Sequence, residues 1–203
     1  NNIYAIANDK DTLIDYDTFL QIMSSEKLNY KIVNSKKKFN LTNISGSIDT
    51  DERLINVNKS INFFKKKLKK YIYFNKNIKK IYRKGKKYII NNEEFDYIIN
   101  CTYYQSFIKK SADVFYEIAT SFIYSCSKKF PALTLMDGPY FTIYPYMKNY
   151  YNVYSVEYSR YGRYNSQSKS ERTLKKIKNN SSFLRKRRKM VEKKILRFYP
   201  NFT

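Results

Sequence analysis

The chain has 203 residues but no histidine, no tryptophan, four glycines, four prolines and two cysteines. Each scarcity excludes something. Without histidine there is no imidazole for acid–base work and no His-containing zinc site. Cys101 and Cys126 cannot build a disulfide framework and lack metal-ligand spacing, so no metal is expected and both read as reduced, half-buried thiols of a cytoplasmic protein. Four glycines supply no Gly-x-Gly-x-x-Gly, the loop that cradles a dinucleotide pyrophosphate. No apolar run reaches the roughly 18 residues of a membrane span. The start Asn1-Asn2-Ile3 carries no Met and no signal-peptide pattern, and both it and the end at Tyr199–Thr203 read as cut edges.

Acidic residues are scarce as well, 17 against 40 Lys and Arg, for a formal net charge of +23. Such a charge points to nucleic acid or an anionic surface. It also has a compositional source, because Lys, Asn, Ile and Tyr are the residues an AT-rich coding sequence favours. The cations spread over several segments and do not form one stripe, which favours composition. With 42% hydrophobic and 18% aromatic residues the chain lies far from the disordered class and is long enough to bury a core.

Ile3–Ala7 reads as a short strand, followed by a helix capped by Asp15 or Asp17 and carrying Phe19, Leu20 and Met23. Lys31–Val33 and Ile44–Ile48 are further extended segments. Asn58 is a suitable N-cap for a helix with Ile61, Phe64 and Leu68 on one face and lysines mostly opposite. Three short strands follow, over Tyr71–Phe74, Ile78–Arg83 and Tyr88–Ile90, the last two joined by a turn at Lys84-Gly85-Lys86. The apolar run Tyr97–Ile99 has the pattern of a strand covered on both faces. Long strands are then expected over Val114–Cys126, Ala132–Met136, Tyr140–Tyr146 and Val153–Tyr158, with turns at Asp137-Gly138-Pro139 and Lys148–Asn152. Glu171–Asn179 and Phe183–Phe198 read as helices.

Three stretches, Asp51–Asn56 with its following helix, Asn77–Ile81 and Phe95–Thr102, resemble in order and spacing the middle of the FAD-dependent oxidoreductases of the D-amino-acid-oxidase-like superfamily. Gly138–Pro145 resembles that family's substrate-side strand. The resemblance implies an α+β chain, with a partial FAD/NAD(P)-binding, Rossmann-like region and a largely antiparallel substrate-domain sheet with flanking helices. It divides the chain into substrate-domain elements and lead-in over residues 1–50, part of the FAD-binding domain over 51–110, the antiparallel sheet over 111–165 and basic helices over 166–203. It implies FAD as cofactor and oxidation of a C–N or C–O bond of a small substrate by hydride transfer to the flavin.

By the same resemblance Ile78 meets the adenine through its main chain. Cys101 and Thr102 end a strand where small residues let the dinucleotide approach the backbone, although Tyr103 stands where the family has Gly. Phe141, Ile143 and Tyr144 alternate on the substrate-side strand, the first two on one face and Tyr144 on the other. Arg160, with Arg163, follows as a candidate clamp for a substrate carboxylate. Two other readings stand beside this one: a non-catalytic relative keeping the fold, and a nucleic-acid module using Arg185-Lys186-Arg187-Arg188-Lys189 with tyrosines as stacking platforms.

Charge separates these readings. If the lysine excess is compositional, binding to unrelated oligonucleotides in a salt series is near-equal among sequences and is erased as salt rises, because it depends on counterion release. Salt-resistant preference for one oligonucleotide, abolished by Arg187→Ala with Arg188→Ala, would establish a dedicated nucleic-acid site instead.

Overall fold

The structure, a computed structural model, describes residues 2–102 and 114–202. These form mixed helix and strand in two compact units, the first made of residues 1–56 and 115–203 and the second of 57–114.

The first unit is built on a seven-stranded sheet. Its N-terminal portion contributes β1 (Asn2–Ala7), α1 (Tyr16–Ser25), β2 (Tyr30–Ile32), α2 (Ser35–Phe39) and β3 (Ile44–Thr50). Its C-terminal portion contributes β7 (Tyr116–Ala119), β8 (Phe122–Ser125), β9 (Ala132–Met136), β10 (Phe141–Met147), β11 (Tyr150–Ser155), β12 (Arg160–Tyr164), α4 (Gln167–Lys178) and α5 (Ser181–Leu196). The sheet runs β2-β3-β1-β9-β10-β11-β8. All its pairings are antiparallel except the central one, β1 with β9, which runs parallel from Asn2↔Ala132 to Ile6↔Met136. A separate two-stranded ladder joins β7 to β12.

Alternation sorts the sheet's side chains. One face carries Ile3, Ala5, Leu133, Leu135, Phe141, Ile143 and Val153, all buried, and α5 closes over them with Val191 and Ile195, followed by Phe198. Each large aliphatic or aromatic side chain so buried stabilises the fold by about 1.5–3 kcal/mol. Ring contacts extend this core, with Phe198 against Tyr140 at 5.5 Å and Phe130 stacked on Tyr199 at 4.8 Å. On the other face α1 covers one end through Phe19 and Met23, packed with Ile6 and Ile48. Asp15 caps this helix, accepting from the Thr18 N–H at 2.7 Å.

The segment after α5 is tied down by hydrogen bonds. The Arg197 carbonyl accepts from Asn43 Nδ2 at 2.7 Å and Thr42 Oγ1 at 3.0 Å, and its guanidinium meets the nearly buried Asp9 carboxylate at 2.8 Å.

The second unit holds α3 (Val57–Lys67), a 3-10 turn (Lys69–Tyr71) and a meander of β4 (Ile81–Lys84), β5 (Lys87–Ile90) and β6 (Glu93–Phe95). Gly85 sits in the hairpin at φ +61°, where glycine alone is unstrained. Ile89 is its one buried large apolar residue among those described, and Ile61 and Phe64 on α3 and Leu68 just after it are exposed.

Several elements differ from the sequence expectations. Tyr71 closes a 3-10 turn and residues 72–74 pair with no strand among the described residues. Tyr97–Ile99 forms no strand: the meander ends at β6 with no neighbour on its outer edge among the described residues, so Tyr97 and Ile99 are each 87% exposed. The long strand expected over Val114–Cys126 is broken at Thr120-Ser121, because β7 pairs with β12 while β8 pairs with β11. Asn58 lies inside α3, not before it. No helix among the described residues is long and apolar enough to cross a membrane.

The β9–β10 turn sets a steric test. A Cβ on Gly138 would lie 2.3 Å from the Tyr140 ring and 2.8 Å from the Asp11 carbonyl oxygen, and the backbone atom cannot swing away. Gly138→Ala therefore lowers the chain's stability by about 1–3 kcal/mol in chemical denaturation. An unchanged midpoint would contradict this packing.

Candidate functional site

The face of the sheet opposite α5 changes character along its width. At the α1 end it is apolar, and toward the middle it becomes polar and aromatic. Tyr4 of β1 is in register with Thr134 of β9, and Thr134 with Thr142 of β10, so the three share this face. Tyr144 lies two residues beyond Thr142 and is in register with Asn152 of β11. All five are half-buried. The Tyr144 and Thr134 hydroxyls hydrogen-bond at 2.7 Å.

The best-organised polar group is at the edge of this face. Just beyond β3 the chain places the Glu52 carboxylate so that its Oε2 accepts from Asn2 Nδ2 at 2.5 Å and from the Tyr4 hydroxyl. Asn2 Nδ2 also donates to the Tyr4 oxygen at 3.2 Å. Burial and then the Glu52 carboxylate push the Tyr4 phenol well above the usual tyrosine range, so it stays protonated and acts as a donor. Asn2 is 1% exposed, and its Oδ1 has no hydrogen-bond partner.

The residues singled out from sequence are distributed over both units. Tyr144 is on the polar face. Phe141 and Ile143 are on the opposite face at 1% and 2% exposure, inside the core closed by α5. Arg160 opens β12, where its Nε lies 3.3 Å from both the Tyr154 hydroxyl and Glu117 Oε1; Arg163 approaches the same carboxylate at 3.7 Å. Ile78 is half-buried in the second unit beside a cleft of about 360 Å³, lined also by Tyr73, Ile90, Asn91 and Phe95. Cys101 and Thr102 are exposed in that unit, where Asn100 Oδ1 accepts from the Thr102 N–H at 3.0 Å and hydroxyl at 2.6 Å. Tyr103 lies outside the described residues. Among the described residues no group of three or more Cys, Asp or Glu could hold a metal.

Tyr4, Asn2, Glu52 and Thr134 escaped the reading from sequence. The alternation of Asn2 and Tyr4 with Ile3 and Ala5 was the available signal for β1, but nothing local ties Glu52 to residues some fifty positions earlier.

The FAD-dependent monooxygenase FPY4 of Fusarium mangiferae is 28% identical to this chain over 144 residues, 71% of the chain and 38% of the relative. The chain thus spans less than half of that protein's length. A stretch of 144 residues on a chain of 203 leaves 59 outside, so it takes in residues 60–144 wherever it begins. The similarity, to a flavin-dependent oxidoreductase, therefore takes in residues 60–114 of the second unit and reaches into β10 at Tyr144. No protein-family model matches the chain, and no solved structure matches it.

The raised phenols yield a pH test. Tyr4 and Tyr124 both ionise above the ordinary value of 10.0, each first by burial and then by a hydrogen bond to a carboxylate, Glu52 or Glu192. The unfolded chain ionises first, so stability is fully present below pH 10 and falls as pH rises beyond it. A spectrophotometric titration shows these two tyrosines ionising only with alkaline unfolding. Full tyrosinate formation in the folded chain would refute the assignment.

Proposed function

We propose that this chain is part of an FAD-dependent oxidoreductase of the D-amino-acid-oxidase-like kind, contributing the substrate-side sheet and a piece of the adenine-side region. The observation that carries the reading is the similarity to an FAD-dependent monooxygenase across residues 60–144, which include Asn77–Ile81 and Phe95–Thr102, two of the three stretches that resemble the superfamily. The arrangement supports it. One face of the seven-stranded sheet is sealed by α5, and the other offers Tyr4, Thr134 and Tyr144, polar groups on rigid strands suited to orient a substrate.

In this reading FAD accepts the hydride when bound, and its adenine end is ascribed to the second unit at Ile78, Cys101 and Thr102. Of the strand residues, Tyr144 is the one ascribed to the substrate side, since packing occupies Phe141 and Ile143. Arg160 keeps a role as carboxylate clamp only by leaving Glu117 for a substrate, at an exchange of one carboxylate for another. The Tyr4 and Tyr144 hydroxyls donate or accept hydrogen bonds at a substrate heteroatom. The reaction proposed is oxidation of a C–N or C–O bond of a small molecule in a cytoplasmic enzyme.

No Gly-x-Gly-x-x-Gly is present in these 203 residues, so the chain alone is expected to hold FAD without a tight site. The full-length polypeptide, purified and freed of loose flavin, carries the visible bands of bound FAD and is bleached anaerobically by its substrate. Folded full-length protein that neither retains nor takes up FAD would overturn the proposal. Affinity at micromolar or better in the 203-residue chain would contradict only the expectation for the chain alone, and would mean the pyrophosphate is held by residues other than a glycine loop.

A further inference from the structure

The second unit carries an apolar stripe that its described residues leave uncovered. Val57, Ile61 and Phe64 stand one above another on α3, and the Leu68 N–H still donates to the Phe64 carbonyl at 2.8 Å, so Leu68 continues the same stripe. These four side chains are between 40% and 61% exposed, and α3 buries no residue. A helix of 11 residues is marginal in water by itself, because short helices owe their stability to the packing of an apolar face. The stripe therefore calls for a partner. Tyr71, Tyr73 and Phe74 follow it directly and are exposed as well.

Charge says which kind. Residues 57–92 hold 13 of the chain's 40 cations and none of its 17 acids, so more than half of the net charge of +23 lies on 36 of the 203 residues. Each of those 13 cations is exposed. A lysine-rich composition does not account for this, since all the acids fall in the other 167 residues. On α3, Lys66 stands opposite the stripe while Lys65 and Lys67 flank it. Like charge opposes a second copy of the chain against this face. A nucleic acid stacks its bases on flat rings and makes no use of Val57, Ile61 and Leu68. An anionic lipid surface takes both components, with lysines in the headgroup layer and aliphatic and Phe side chains at the acyl boundary. Tyrosines suit the headgroup level.

We propose that the second unit docks on an anionic phospholipid surface, with α3 lying in the plane of the interface. Val57, Ile61, Phe64 and Leu68 face the acyl chains, and the flanking lysines meet the headgroup phosphates. The attachment is peripheral, by a helix that lies on the bilayer and does not cross it. The inference goes beyond the flavin reading and does not rest on it.

The test is co-flotation of the 203-residue chain, and of the full-length polypeptide, with phosphatidylcholine vesicles that contain or lack phosphatidylserine. Both proteins bind the phosphatidylserine vesicles at least about tenfold more tightly than the neutral ones. Phe64→Ala with Leu68→Ala, at exposed positions outside the core, weakens binding by about tenfold. Lys66→Gln with Lys69→Gln also weakens it, whereas Lys175→Gln with Lys176→Gln on α4, the same loss of charge, changes it by less than about twofold. The chain has no tryptophan, so Phe64→Trp supplies a sole reporter whose emission moves to shorter wavelength on the vesicles. No binding, equal loss from the two lysine pairs, or binding indifferent to Phe64 and Leu68 would overturn the proposal. So would a full-length polypeptide that stays off vesicles to which the shorter chain binds, because the rest of the polypeptide would then cover the stripe. Tighter, salt-resistant binding of an oligonucleotide that depends on Phe64 would overturn it in favour of nucleic acid. Flotation reads no flavin, so its failure is distinguishable from failure of the flavin test.

Discussion

The parallel pairing of β1 with β9 holds the first unit together. Five residues of the N-terminal strand, Asn2 to Ile6, lie along Ala132 to Met136, and this is the seam between a segment ending near residue 56 and one beginning near 115. On one side of the seam stand β2 and β3, on the other β10, β11 and β8. A parallel pair requires a long crossover, and here residues 8–131 connect the two strands. Ile3, Ala5 and Leu133 from the two segments share one buried cluster, so neither half of the sheet completes its core alone.

The same seam creates the candidate site. Tyr4 comes from one segment, Thr134 and Tyr144 from the other, and Glu52 from the chain leaving β3. Their proximity follows from register and not from sequence spacing. The ordering of Glu52 by a protonated phenol and a buried amide gives a carboxylate held by neutral donors, an arrangement that leaves its charge available. The opposite face contrasts with this: Glu192, which accepts from Tyr124 at 2.9 Å, is also paired with Arg188 at 3.3 Å.

Local pattern made β1, α1, β9, β10 and the helical character of α5 legible from sequence, because caps, alternation and turn residues agree there. The mixed α and β character followed from them. The break between β7 and β8 was not legible, because a run of strand-forming residues does not say which partner each half takes. β12 was missed for a related reason: Arg160–Tyr164 is charged and glycine-containing, and becomes a strand by pairing with β7. Tyr97–Ile99 erred the other way, since apolar residues form a strand only where neighbours exist. Within the site, strand alternation correctly separated Tyr144 from Phe141 and Ile143, but the face carrying the helix was beyond it. Glu52 lies within the Asp51–Asn56 stretch, but nothing in the sequence marked it, and its partners Tyr4 and Asn2 were out of reach until the sheet placed them beside it.

The central claim is that the polar face, carrying Tyr4 and Tyr144, looks onto a flavin and its substrate while the α5 face serves packing. The most direct measurement is the visible spectrum and steady-state kinetics of the FAD-loaded full-length protein bearing Tyr144→Phe, beside Val153→Ala from the buried face. The account predicts that Tyr144→Phe shifts the flavin bands or the ratio of kcat to KM with stability little changed, and that Val153→Ala lowers stability with flavin bands unmoved. Flavin bands and kinetics indifferent to Tyr144→Phe but altered by Val153→Ala would contradict it.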